Sequence, residues 1–407
     1  MARVIVVGAG VGGLTLAQGL RGAGFDVAVY ERDDENGRPQ GIAVHIDDRG
    51  ATALRTCLPP EQLGMAEGTM GGPRTQTLQV ADVDGELTVV GSKPADAAAG
   101  TALLGARPGR QASRPVLRAA LLAGLQDVVK FGAAFTRFEQ QSDGTVKAWF
   151  SDGSTDTADV LVGADGGGSA VRAQYLPEAE RVDTGKRMLM GATPMTALAD
   201  TGIVELIGHD PAGVRSGGAM LMALGPMHFA EAPLAARDKW LPGLSSDAVE
   251  SAEDYVMWAM PTGKDALSED ESAGAVWAVA KKLVTGAHPS LVKVINSAWP
   301  EVTFAHWIGL IPPQEPWEAS PVTLLGDAIH LAPGFGANVA MRDAQRLCEA
   351  LSAEARGDGD LVAAIAAYED ELRTESVEIV ETMMQMAAAT MESQSDSESD
   401  EAESAVS

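Results

Sequence analysis

A chain of 407 residues, 45% hydrophobic and 21% charged, carries enough apolar material for more than one compact domain, which excludes a small binding module and a disordered polypeptide. Its two cysteines, Cys57 and Cys348, exclude a disulfide scaffold and suit a reducing compartment, read here as the cytoplasm. A net charge of −27 works against a phosphate backbone, so nucleic acid is not an expected partner, and no apolar run is long enough for a membrane span.

Val4–Val7 is a β-branched run, Gly8–Gly13 a glycine cluster, Leu14–Gly24 an amphipathic stretch and Asp26–Tyr30 a second apolar run. In that order they predict strand, turn, helix and strand, the unit of a parallel sheet with a ligand at its carboxyl edge. Gly8, Gly10 and Gly13, with Gly12 between, match G-x-G-x-x-G. The first glycine permits the tight turn, the second lets backbone approach a pyrophosphate, and the third lets the helix pack on the strand. Glu31, at the end of the second strand, can accept hydrogen bonds from ribose hydroxyls, with Arg32 beside it. NAD and FAD are both compatible with this unit.

Arg114–Gly124 predicts a helix, and Val128–Glu139 with Thr145–Phe150 predicts paired strands about a turn at Ser142–Gly144. A second hairpin turn follows at Asp152–Gly153, and the buried run Ala158–Val162 leads into Gly163-Ala164-Asp165-Gly166. From about Asp183 to Asn296 strand-like pieces (Arg187–Gly191, Gly218–Gly225, Asp254–Met260) alternate with Pro, Gly and acidic loops, the pattern of a second, mixed domain. Val322–Leu325 then runs into Gly326-Asp327-Ala328-Ile329-His330, followed by Pro333, Gly334, Gly336, Ala337 and Asn338. Helices are expected from about Asn338 to Ala355 and from Leu361 to about Met391. Residues 392–407 hold six acids and no base and have no apolar period, so they are read as a disordered tail.

The histidines at 45, 209, 228, 288, 306 and 330 lack metal-ligand spacing, so no metal is expected. The methionines at 188, 190, 220, 222, 257 and 260 suit either ordinary core or an adaptable apolar pocket. Met220, Met222, His228 and Trp258 are the candidate substrate-pocket residues.

The glycine turn, the GADG segment and the GDAIH segment, in this order and spacing, resemble the single-component flavoprotein monooxygenases of the para-hydroxybenzoate hydroxylase type. The resemblance implies an α/β fold: a Rossmann-like FAD-binding domain from residues 1–70, 101–176 and 296–352, an inserted mixed β-sheet substrate domain from 71–100 and 177–295, and a C-terminal helix over 353–391. It implies FAD as cofactor, with Asp327 on a ribityl hydroxyl, the amides of Gly334 to Ala337 at the flavin's pyrimidine edge, Asp165 near the pyrophosphate and Arg114 reaching the cofactor from a helix start. The helix beginning near Asn338 would point its positive end at the same place. Pro333 and Gly334 would shape the oxygen side.

The expected partners are NAD(P)H, O2 and an apolar small molecule of aromatic or polyketide-like character. The implied activity is hydroxylation through a flavin C4a-hydroperoxide. Epoxidation, Baeyer–Villiger insertion and a non-redox cyclase or binding role for a structural FAD stay open. So does the oligomeric state.

Overall fold

The computed structural model describes residues 1–35, 42–94, 109–216, 219–250, 252–268, 270–331, 336–355 and 359–378. The expected tail, Pro333 and Gly334 lie outside the described residues. The opening unit forms as the hydrophobic periods dictate: β1 (Arg3–Val7), α1 (Val11–Gly22) and β2 (Asp26–Tyr30). There follow β3 (Ala43–Asp47), α2 (Asp48–Cys57), α3 (Pro60–Thr69), the hairpin β4 (Gln76–Val83) and β5 (Glu86–Pro94), β6 (Gly109–Ser113) and α4 (Arg114–Leu122). Next come β7 (Val129–Lys130), β8 (Phe135–Gln140), β9 (Val146–Phe150), β10 (Thr155–Ala158), β11 (Val160–Gly163) and α5 (Ala170–Tyr175).

The middle of the chain supplies β12 (Val182–Pro194), α6 (Ile203–Ile207), β13 (Ala212–Ser216), β14 (Ala219–Met227), α7 (Pro233–Trp240), β15 (Tyr255–Gly263), α8 (Ala273–Leu283) and α9 (Pro289–Asn296). It closes with β16 (Phe304–Leu310), β17 (Val322–Leu324), α10 (Gly336–Ala355) and a last helix, α11, over 361–378. No helix among the described residues is long and apolar enough to cross a membrane.

Five strands in the order β17-β11-β1-β2-β7 form a parallel sheet. Its central strands are buried on both faces, which is why β1 and β11 read as unbroken apolar runs rather than alternating ones. Two expectations for this region change. Val128–Glu139 is not one strand, because Gly132 (φ 71°) turns the chain, sending β7 into the parallel sheet and leaving β8 to pair antiparallel with β9. Ala158–Val162 is likewise divided at Asp159 between β10 and β11.

The second large sheet has the order β16-β12-β15-β14-β13-β4-β5, antiparallel throughout except where β13 runs alongside β4. Here β16 also departs from expectation: it pairs with β12 in this sheet, although segment 296–352 was read as part of the cofactor domain. One face of the sheet packs under α6, α8 and α9 around Trp258, Leu189, Val256, Val276 and Ile295, all fully buried. Gly191 makes room for Trp258: a Cβ there would lie 2.1 Å from the indole ring.

The other face docks on the cofactor side of the chain. Tyr255 Oη, at the start of β15, donates to the Ile42 carbonyl at 2.8 Å, and the Arg114 backbone N–H donates to that same oxygen at 2.9 Å. This junction sets the large sheet opposite β3, β6 and the start of α4.

Candidate functional site

Where β1 ends, Gly8 adopts φ 109°, and a Cβ there would lie 2.4 Å from the Ala164 carbonyl oxygen. The turn therefore runs hard against the end of β11, and only glycine fits both the conformation and the space. Gly13 is equally constrained, since a Cβ would meet the Gly8 oxygen at 2.0 Å. Gly10 differs: nothing lies within 4 Å of where its Cβ would be. It caps α1 without a side-chain hydrogen bond, and the first turn holds no acid. The result is an uncapped helix N-terminus with clear space in front, suited to an anionic group. Gly12 faces inward, where its Cβ would strike Leu325 and Ala340, so its role is to let α10 approach α1.

Glu31 holds the turn from the end of β2. One carboxylate oxygen accepts from the Ala9 N–H at 2.7 Å and the other from the Asp33 N–H at 3.0 Å, and each keeps a free lone pair for a hydroxyl. Arg32 is half-exposed, 3.7 Å from Asp33.

In the GADG segment the Asp165 backbone abuts Gly8, but its carboxylate turns to its own helix, accepting from the Ser169 hydroxyl, the Ala170 N–H at 2.8 Å and the Val171 N–H at 3.3 Å. Burial pushes its pKa up against these bonds. The Asp165 carboxylate is thus engaged at the N-terminus of α5, beside the Ser169 cap. Arg172, which the sequence did not single out, ties the two late turns together by donating to the carbonyls of Ala328 at 2.8 Å and Gly167 at 2.9 Å.

Gly326 (φ 59°) lets α10 press on the turn after β17, since a Cβ would lie 2.6 Å from Ala340 Cβ. Its N–H donates to Asp343 at 2.8 Å, and Asp343 sits 3.3 Å from the buried His330 ring. Ser376 on α11 contacts the other ring nitrogen of His330 at 2.6 Å. His330 therefore supports the turn from behind.

Asp327 faces the start of α10, where a Cβ on Gly336 would come within 2.6 Å of its Oδ1. That oxygen is buried and has no hydrogen-bond partner among the described residues. Burial raises the Asp327 pKa, opposed first by the charge of Arg114 and then by His330. Arg114 responds in kind, its pKa lowered by burial and partly restored by Asp327. The two residues expected to reach one cofactor thus sense each other electrostatically. Asn338 is a different case: its side chain donates to the His45 carbonyl at 2.8 Å and accepts from the Asp47 N–H at 3.1 Å, clamping α10 to β3. Ala337, next to it, is half-buried.

The strand registers sort the substrate candidates by face. Phe304, Met190, Ala259, Ala223 and Gly213 lie in one cross-strand row, and His306, Met188 and Pro261 in the next. Met257 and Gly225 continue the same face toward Tyr255. This is the face that docks on Ile42 and Arg114. Met222, Trp258 and Met260 are on the opposite face, buried under the helices, so Met222 and Trp258 are corrected from substrate wall to core. Met220 is 38% exposed and lies against Gly213 on the cofactor side. His228 contacts Asp254 at 3.3 Å and the Gly208 carbonyl at 3.2 Å and packs against the tilted His209 ring, which ties it to the edge near α6 rather than to the wall. An open cavity of about 630 Å³ lined by Leu78, Val89, Glu205, Ile207 and His209 belongs to the helix-covered side and is separate from these rows.

His306 was read as one of the scattered histidines. The residue is exposed at the surface, while desolvation by the surrounding protein and then the Arg114 charge lower the pKa of its ring, the combination expected in the wall of a cleft. The two-residue alternation of β16 was the available signal, but it does not say which face looks at the site. Among the described residues no cluster suits a metal ion.

Residues 6–53 match the NAD(P)-binding Rossmann-like domain and residues 312–383 the FAD binding domain. The dual O-methyltransferase/FAD-dependent monooxygenase elcB of Phaeosphaeria nodorum is 31% identical over 91% of this chain and 44% of its own length. The chain thus spans less than half of that relative. The FAD-dependent urate hydroxylase of Klebsiella pneumoniae is 29% identical, covering 90% of this chain and 85% of its own. Among solved structures, one from Photorhabdus luminescens described as an FAD-containing monooxygenase superposes with a TM-score of 0.73 at 28% identity, over 96% of this chain and 98% of that one. Klebsiella pneumoniae HpxO, complexed with FAD and uric acid, gives 0.68 at 25% identity over 96% and 92%.

Proposed function

We propose that the chain is an FAD-dependent monooxygenase, like the urate hydroxylase and the Photorhabdus luminescens protein it resembles, and that it uses NAD(P)H and O2 to oxygenate a largely apolar, aromatic or polyketide-like small molecule. The observation that carries the reading is the buried Asp327 oxygen without a partner, set against Gly336 at the start of α10 and under the charge of Arg114. A carboxylate in that position calls for a hydroxyl donor, which the ribityl chain of FAD has.

The residues present fit the cofactor. The α1 N-terminus at Gly10 would take the pyrophosphate, Glu31 the ribose, Asp327 the ribityl chain, and the first amides of α10 at Gly336 and Ala337 the flavin ring, with Arg114 closing the side. The part that holds it would be assembled from separated segments of the chain. When bound, FAD supplies the redox chemistry, accepting electrons from the nicotinamide and delivering them to O2. The chain's own contribution is binding, orientation and exclusion of water: Arg114 supplies positive charge in a desolvated place, and the Met188, Met190 and Met257 wall offers an adaptable apolar surface.

The test is anaerobic mixing of the FAD-loaded protein with NADH and with NADPH, with and without fused-ring phenols. Loss of the flavin's visible absorbance with at least one nicotinamide is expected. A flavin that keeps its colour with both overturns the redox reading in favour of a structural cofactor. Where reduction occurs, the mass of the aerobic product and the position of its new oxygen separate hydroxylation from epoxidation and Baeyer–Villiger insertion.

A further inference from the structure

The wall opposite Arg114 is almost wholly apolar. Along it run Phe304, Met190, Ala259 and Ala223 in one row, Met188 and Pro261 in the next, with Ile308 further along β16. In this setting stands one imidazole, that of His306, directly across from Met188. We propose that His306 is the specificity-determining residue of the substrate wall, and that it selects an aromatic molecule bearing a hydroxyl on the edge turned toward β16.

Three features converge on this assignment. His306 is exposed rather than packed into core, so a ligand can reach it. It lies on the face that docks on Ile42 and the start of α4, the side holding Arg114 and Asp327. Among the described residues, the charge that acts on it is that of Arg114, and with the surrounding protein it lowers the pKa of the ring and so favours the neutral form. A neutral imidazole has one donor and one acceptor nitrogen, and a hydroxyl, itself both donor and acceptor, is the complementary partner. In a methionine-lined pocket an adaptable apolar surface admits many ring systems, whereas a single polar group rejects those that leave it unpaired. In the two rows from Phe304 to Ala223 and from His306 to Pro261, the imidazole is the one polar side chain.

The proposal rests on the aromatic-substrate reading above, so the experiment separates the two. The FAD-loaded wild type, His306→Leu and His306→Gln are titrated with 1-naphthol and with its methyl ether, 1-methoxynaphthalene, following perturbation of the flavin spectrum. The wild type is expected to bind 1-naphthol about tenfold more tightly than the ether, the effect of one hydrogen bond in a desolvated site. His306→Leu is expected to lose that preference with FAD content unchanged, and His306→Gln, which keeps an acceptor, to retain part of it. A leucine variant that holds FAD and discriminates as the wild type does overturns the role of His306. A wild type that binds both compounds equally overturns it too. A wild type that binds neither compound overturns the aromatic-substrate reading, and this one falls with it.

Discussion

Asp327 and Gly8 show how different constraints act on single residues of one site. The Asp327 oxygen has no partner among the described residues, a state that costs stability in the free protein and is relieved by a hydroxyl donor. Asp327→Ala is therefore expected to fold at least as stably as the wild type while retaining FAD about tenfold or more weakly, read from the flavin content after gel filtration. An alanine variant that keeps full FAD removes Asp327 from the cofactor site. Gly8→Ala should behave in the opposite way. With φ 109° and the Ala164 carbonyl 2.4 Å from the new Cβ, it must move backbone, so loss of folding stability of about 2 kcal/mol or more precedes any effect on the cofactor. Thermal melts of the cofactor-free variant check this, and an unchanged melt contradicts it.

At the scale of elements, the turn after β17 is supported from behind by α10 and α11, and that support is sensitive to pH. Glu369 on α11 accepts from the Thr323 hydroxyl at 2.8 Å, and burial lifts its pKa from 4.5 to about 7. The folded form thus holds this proton more tightly than the unfolded chain. The resulting stabilisation is full below pH 4.5 and is lost as pH rises through about 7, with an upper bound of roughly 3 kcal/mol. Glu369→Gln keeps an acceptor for Thr323 and does not ionise. Its melting temperature should match the wild type near pH 5 and exceed it near pH 8, and parallel curves across that window would refute the assignment. These supports also show what the sequence could reveal. The βαβ opening and the strand before Gly326 were legible because each is a local apolar period ending in glycines that its own turn requires. The Glu369–Thr323 contact, the Arg172 bridge to Ala328 and the Asn338 clamp on β3 join residues far apart in the chain, and no local period encodes them.

Across the whole molecule, the large sheet faces β3, β6 and the start of α4 through Tyr255, Ile42 and Arg114, and it is shared between two tasks by the alternation of its strands. Alternation divides each strand into two faces but does not say which is covered, because α6, α8 and α9 are separate elements that reach the sheet only in the tertiary fold. This is why the methionines are visible as a group in the sequence while the faces of Met222 and Trp258 are not, and why His306 stands there only as one of six histidines. The division can be tested by substituting the two faces of one sheet. Trp258→Ala and Met222→Ala empty fully buried positions beneath the helices and should cost about 2–5 kcal/mol in denaturant unfolding. Their Michaelis constants should stay near the wild-type value while the protein remains folded. Met190→Ala and Met257→Ala remove partly buried side chains on the cofactor side and should cost less, about 1 kcal/mol, while raising the Michaelis constant for an aromatic substrate several-fold. If the Met222 variant moved the Michaelis constant and the Met190 variant did not, the wall would lie on the helix-covered face. The 630 Å³ cavity beside Leu78 and His209 would then become the substrate site.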